Sequence, residues 1–236
     1  MIQETQHGVF RGRKLLQTSG EIGGARSVFV KIKGIKNELV YPTFGGKVMN
    51  PPKGSGFKFY AGDLFEYRTN DKGVAPELYL LKTYLVHNVS GNVVNIVRDG
   101  YKHKPFVGDV LGVAPEEIGG TIEDATITKV EATVVGGVKV WACTFDAAVA
   151  AEANDILVEG DGKGKMLVKA INAVADCDGD MLDPGAEGAD DFEGARYHYT
   201  PALGGIMYAH KMSPMPACVL KLNQCNINGW FQIQSV

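Results

Sequence analysis

Cysteine, histidine and sustained helical periodicity are all scarce in this chain, and each scarcity excludes something. The four cysteines (Cys143, Cys177, Cys218, Cys225) show no C-x-x-C spacing. Even the near pair Cys218 and Cys225 is too far apart for a zinc knuckle, so free thiols in a reducing compartment are expected. No apolar run approaches the roughly 20 residues that a membrane-crossing helix needs. The first residues, MIQETQHGVFRGRKLL, lack the basic-then-apolar order and the small-residue cleavage site of a secretory signal. The expectation is a mature chain starting near Met1, made in a cytosol, with no membrane partner. Nucleophile elbows, phosphate-cradling glycine loops, dinucleotide fingerprints and H-E-x-x-H are missing as well. His7, His87, His103, His198 and His210 are dispersed, and each reads as a surface or satisfied core residue unless a carboxylate meets it in the fold.

What the chain does have is glycine and short alternating segments. Its 236 residues include 30 glycines, well above the roughly 7% average and without collagen-like period, as expected for many turns between short strands. RSVFVKI (26 to 32) and FKFYAGDLFEY (57 to 67) alternate, and the glycines and prolines of FGGKVMNPPKGSG read as loops. LYLLKTYLVHNV (78 to 89) reads as one long strand on its β-branched and aromatic residues. In DATITKVEATVVGGVKVWACTFDA, two alternating runs flank Gly136-Gly137, as a two-residue hairpin turn requires. NDILVEGDGKGKMLVKAI adds two more strands, while AAVAAEAND (147 to 155) has room for a single helical turn. The fold class expected is mainly β: a small β-barrel or sandwich domain, a second β-rich N-terminal region and an apolar C-terminal segment. The divisions expected are 1–91, 92–175 for the barrel, 176–196 as an acidic linker and 197–236 as a Met- and Pro-punctuated packing segment.

Charge is distributed unevenly. Residues 1 to 60 carry ten Lys and Arg against three Glu, whereas residues 176 to 193 carry eight acids and no base. Such ends attract each other, a neighbouring copy or an oppositely charged partner. The basic residues are spread over expected strands without aromatic partners, so nucleic acid is not an expected partner. Within DCDGDMLDPGAEGADD, the carboxylates of Asp176, Asp178, Asp180 and Glu187 fall where a calcium loop places ligands. Against that reading, Met181 occupies the position of the turn glycine and no helices flank the loop. No other cofactor is expected.

IVRDGYKHKPFVGDVLGV followed by ATITKVEATVVGGVKVWACTFDAAVAAEANDILVEGD resembles the small β-domains of head-fibre and auxiliary (decoration) capsid proteins of tailed bacteriophages. The tail YTPALGGIMYAHKMSPMPACVLKLNQCNINGWFQI is similar to C-terminal segments of such proteins in phages of gut bacteria, the crAss-like group among them. The resemblance covers about half the chain, its motifs are structural, and residues 1 to 90 have no counterpart in it. It implies a virion structural protein on the capsid exterior, made in the host cytoplasm, that binds the phage major capsid protein and forms a homo-oligomer, dimer or trimer. Expected contact residues are Arg11, Arg13 and Lys14 in the basic region and Met207, Met212 and Trp230 in the tail. Two other functions remain open. A module binding host surface glycans would use Tyr197, Tyr199, Trp230, Phe231 or Trp141, although Trp141 reads more readily as core. A β-rich hydrolase would use two acids such as Asp109 and Glu159 plus a metal at the 176 to 187 run. The acidic run is testable by itself: calcium titration that releases heat and raises the melting temperature would establish a cation site, and neither effect is expected of an acidic linker.

Overall fold

In the computed structural model, the residues described are 46–52, 58–69, 76–98, 103–175, 179–180, 198–199, 201–203, 205–208, 213–223 and 231–234. The RSVFVKI segment lies outside them. The chain is mainly β, as expected from its glycine-punctuated short runs. In order, its strands are β1 (Gly46–Val48), β2 (Lys58–Phe59), β3 (Leu64–Arg68), β4 (Glu77–Leu80), β5 (Thr83–Ser90), β6 (Val93–Val97), β7 (Val110–Val113), β8 (Ala125–Val135), β9 (Val138–Phe145), β10 (Ile156–Glu159) and β11 (Ala173–Val174). There follow β12 (Gly179–Asp180), β13 (His198–Tyr199), β14 (Gly205–Tyr208), one helix, α1 (Ala217–Asn223), and β15 (Phe231–Gln234).

Six strands, in the order β10-β5-β6-β9-β8-β7, form a sheet whose outer members β7 and β10 also pair, so that it closes into a barrel. All of its pairings are antiparallel. Alternation fills the interior: Tyr84 and Val86 on β5, Val94 and Ile96 on β6, Leu111 on β7, Ala125 and Ile127 on β8, Cys143 and Phe145 on β9 and Leu157 on β10 are buried in one cluster. The β8–β9 turn is the expected one. Gly136 and Gly137 have φ of 57° and 83°, both left-handed, as a primed turn matched to strand twist demands. Gly112 on β7 has a different reason to be glycine, because a Cβ there would lie 2.7 Å from the Glu123 carbonyl oxygen.

A second sheet, β11-β3-β4-β1-β13, lies beside the barrel. Its strands β3 and β4 pack apolar side chains on both faces. Leu64 and Tyr79 face a cluster shared with Val158 of the barrel and Cys218 and Val219 of α1, while Phe65, Leu78 and Leu80 face a second cluster with Val48 and Phe59. Strand β10 is likewise apolar on both sides, with Leu157 inward and Val158 toward the second sheet.

Several expectations need correction. The boundary expected between residues 91 and 92 falls inside the β5–β6 hairpin, where Ser90 pairs with Val93. The barrel therefore begins at Thr83. The 78–89 run is two strands in two different sheets, β4 and β5, separated at Leu81 and Lys82, because Lys82 is needed for a buried ion pair there. At the other end, residues expected in the barrel up to 175 leave it after β10, and β11 pairs with β3. Gly46–Val48, expected as loop, is a strand parallel to β4. Residues 147–155 form no helix but one hydrogen-bonded turn, Asp155 N–H donating to the Glu152 carbonyl at 3.2 Å; Asn154 is left-handed there (φ 78°), and Asp155 Oδ2 accepts the Glu152 N–H at 2.7 Å. Between β10 and β11 only isolated bridges form, Gly160 with Met166 and Lys165 with Thr121, because glycines 160, 162 and 164 interrupt the alternation.

The barrel interior also carries two weak acids. Burial pushes the Cys143 thiol up from 9.0 to about 12, with the Asp109 charge adding to it. Burial likewise raises the Tyr84 hydroxyl well above its ordinary value, helped by Asp109 and Glu159. Both groups hold their protons more tightly folded than unfolded; the Cys143 contribution is intact below pH 9 and is lost as pH climbs toward 12, and Tyr84 acts with the same sign. Urea midpoints should therefore fall as pH rises from about 9 to 11, and Cys143→Ala should flatten part of that slope.

Candidate functional site

The polar groups with defined geometry gather where the second sheet meets the barrel. Lys82, in the two-residue link between β4 and β5, is buried to 4% side-chain exposure and lies 3.1 Å from Glu159 at the end of β10. Glu159 Oε2 also accepts an N–H of Asn50 at 2.6 Å. Asn50 in turn donates to the Leu80 carbonyl at 2.8 Å and accepts the Leu80 N–H at 2.7 Å, so its amide acts as a short extra strand residue beside β4. A charge taken out of water needs its remaining valences filled, and Asn50 fills one on Glu159.

Nearby, His103 Nε2 meets Asp63 Oδ2 at 2.8 Å, with side-chain exposures of 4% and 1%. The same carboxylate oxygen accepts the Tyr60 N–H at 2.8 Å, and the Tyr60 ring lies 5.4 Å from the imidazole, centroid to centroid. Ser213 Oγ is 3.5 Å from the other oxygen, Asp63 Oδ1. Gly62, Leu64, Leu81, Thr83, Ser213, Pro214 and Met215 line a small recess beside this group. Its order, however, is hydroxyl, carboxylate, imidazole. The imidazole is not next to the serine, so it cannot take the proton that nucleophilic attack would release. What the arrangement does is tie three distant segments together: the turn before β3, the connection between β6 and β7, and the residues before α1.

A third cluster lies along β3. Glu66 receives Arg68 through both oxygens, at 2.6 and 2.8 Å, and its Oε2 accepts the Lys169 N–H at 2.6 Å. Arg68 Nη2 also donates to the Leu167 carbonyl at 3.1 Å, and the guanidinium stacks 3.7 Å from the Tyr79 ring centroid. The Glu66 hydrogen bond holds the guanidinium above its ordinary range. Burial, then the bond to Glu77, raises the Tyr79 hydroxyl.

The two acids considered for hydrolysis are engaged in the fold. Asp109 Oδ2 accepts the Phe106 N–H at 2.8 Å, and Glu159 is the partner of Lys82. Trp141 packs at the end of the barrel core, half-buried, with Arg98 Cζ 4.6 Å and Lys104 Nζ 4.8 Å from its ring centroid. Cations at those distances engage the ring face as cation–π partners; the tryptophan packs against the core without being fully buried in it. Among the described residues, no three His, Cys, Asp or Glu side chains gather as a metal site.

Of the residues named from sequence, Arg11, Arg13, Lys14, Asp176, Asp178, Glu187, Tyr197, Met212 and Trp230 lie outside the described residues. Asp180 does not sit in a plain linker, since its backbone pairs with Lys58 of β2. Met207 lies on β14, opposite Ile233 of β15 in a parallel pair. Tyr199 pairs with Gly46, and Phe231 with Gly205. Sequence reasoning missed the His103–Asp63 and Lys82–Glu159 pairs. A lysine within LYLLKTYLV was the one local signal, because an apolar run admits a charge only beside a partner.

No protein-family model matches the chain, and neither a curated protein nor a solved structure shows significant similarity to it. Lys82→Met should leave Glu159 without its counter-charge and cost about 3 kcal/mol, read as a lowered urea midpoint; adding Glu159→Leu should recover most of that loss.

Proposed function

We propose that this chain is a virion structural protein: a capsid-attached head-fibre or decoration protein that binds the outer surface of the phage major capsid protein, oligomerises, and acts by shape and contact area rather than by catalysis. The observation that carries this reading is the β8–β9 hairpin. Its strands are 11 and 8 residues long, yet only the first part of β8 is fixed by a second neighbour, β7. Beyond Ile127, six residues of β8 are exposed, and only Val130 and Val135 are half-buried. An arm of this kind presents backbone and side chains for lateral contact, whereas the polar groups inside the fold are engaged in holding its segments together. The sequence resemblance and the excess of basic residues before position 60 point the same way, because a basic region suits an acidic capsid surface.

Glycan binding by Trp141 has less support, since Arg98 and Lys104 engage its ring. The capsid reading is tested by mixing the full chain with capsids assembled from the major capsid protein. Co-sedimentation and added density outside the lattice are expected. Removing residues 1 to 40, which takes away Arg11, Arg13 and Lys14 but spares β1 and its buried Val48, should abolish the attachment. A full chain that stays in the supernatant over such capsids would overturn the proposal.

A further inference from the structure

From the geometry of β8 we infer that its outer edge, Lys129 to Val135, is a two-fold docking edge for a second copy of this chain, paired antiparallel about Ala132. This rests on the oligomeric part of the proposed function and names the surface that would carry it.

The direction of the backbone groups follows from the neighbours of β9. Arg98 N–H donates to the Lys139 carbonyl, and Phe145 N–H to the Asn92 carbonyl, each at 2.9 Å. Odd-numbered residues of β9 therefore turn their backbone groups toward β6, and even-numbered ones toward β8. Their partners on β8 are Lys129, Glu131, Thr133 and Val135. By the same alternation, the N–H and C=O of Val130, Ala132 and Val134 point away from β9.

That side is open among the described residues. β7 covers β8 only at Ala125 and Thr126, and the Ile127 backbone bonds to Asp109 and Gly108. The bulge between Ile127 and Lys129 then carries β8 past the end of β7. No proline or inward charge blunts the edge that follows, KVEATVV. Val134 is 60% exposed, and Lys129 and Glu131, each 61% exposed, pair with one another at 2.9 Å on their own strand. An uncovered strand edge of this length is a template for another strand.

An axis at Thr133 or Val134 would set Val130 or Ala132 opposite Gly136 of the hairpin turn and so shorten the ladder, which leaves three two-fold registers that pair outward-pointing residues along the strand. An axis at Val130 places the partner's Thr133 and Val134 opposite Ile127 and Thr126, where β7 and its preceding residues already lie. An axis between Val130 and Ala132 sets Glu131 directly against Glu131 of the second copy, which like-charge repulsion disfavours. The axis at Ala132 avoids both. It sets Val130 against Val134, Glu131 against Thr133 and the small Ala132 against itself, with the pairs repeated across the two-fold axis as an isologous interface requires.

Two kinds of variant test this in the full chain. Ala132→Pro removes an N–H that points away from β9, so the hairpin keeps its own ladder while the docking edge loses a donor. Sedimentation should show a dimer for the unaltered chain and a monomer for Ala132→Pro. Separately, Cα atoms directly opposite in a hydrogen-bonded antiparallel pair are about 5.5 Å apart, within disulfide reach. Ala132→Cys should thus cross-link between chains on mild oxidation. Thr133→Cys, which this register places opposite Glu131, should not, and this comparison holds however well proline is tolerated. A chain that stays monomeric when concentrated, an unchanged mass for Ala132→Pro, or equal cross-linking by the two cysteine variants would each overturn the inference. Capsid attachment is read independently: dimers that ignore capsids defeat only the capsid role, and attached chains whose mass is indifferent to Ala132→Pro defeat only this edge.

Discussion

The buried contact between Lys82 and Glu159 is the constraint on which the rest of the architecture depends. It sits where the chain leaves β4 for β5, and it reaches the end of β10, the strand by which the chain leaves the barrel. Without it, two charges would stand at the junction of two apolar clusters, and desolvation would force one or both to be neutralised or to pull out toward water. With it, and with Asn50 satisfying Glu159 and the Leu80 backbone together, the second sheet and the barrel are held in one arrangement. The apolar clusters on either side supply the driving force. The ion pair supplies direction, because hydrophobic burial alone tolerates sliding.

The other polar contacts repeat this division of labour at longer range. Asp63 and His103 are 40 positions apart, and Glu66 and Lys169 are 103 apart. Each joins a sheet strand, or the turn before it, to a connection that belongs to another element. Such pairs add little to net stability as isolated contacts, but breaking one strands a buried group. They therefore select one packing among many that would bury similar apolar area.

How much of this was legible in the sequence depended on whether the cause was local. The β8–β9 hairpin was legible because Gly136-Gly137 and the flanking alternation lie within one short window. The β-rich class followed from glycine spacing for the same reason. LYLLKTYLVHNV misled because nothing in its propensities marks a change of sheet; only the lysine does, and its partner is 77 residues away. Helix α1 has seven residues, about two turns, too few for a periodic signal to emerge. Parallel pairing of β1 with β4 was equally hidden, since GKV has no strand pattern of its own. The hydroxyl, carboxylate and imidazole that meet at Asp63 come from three separate segments, none of which carries a motif.

Strand β5 begins and β10 ends side by side, with Thr83 paired to Val158. The chain thus steps out of the second sheet at residue 82, builds the whole barrel, and returns within a few ångströms of where it left. In topological terms the barrel is an insertion whose two stems are clipped together by the Lys82–Glu159 contact. Its loops and the tip of its β8–β9 hairpin can lengthen, shorten or be exchanged for another closed module with adjacent ends, while the sheet beneath keeps its strand order.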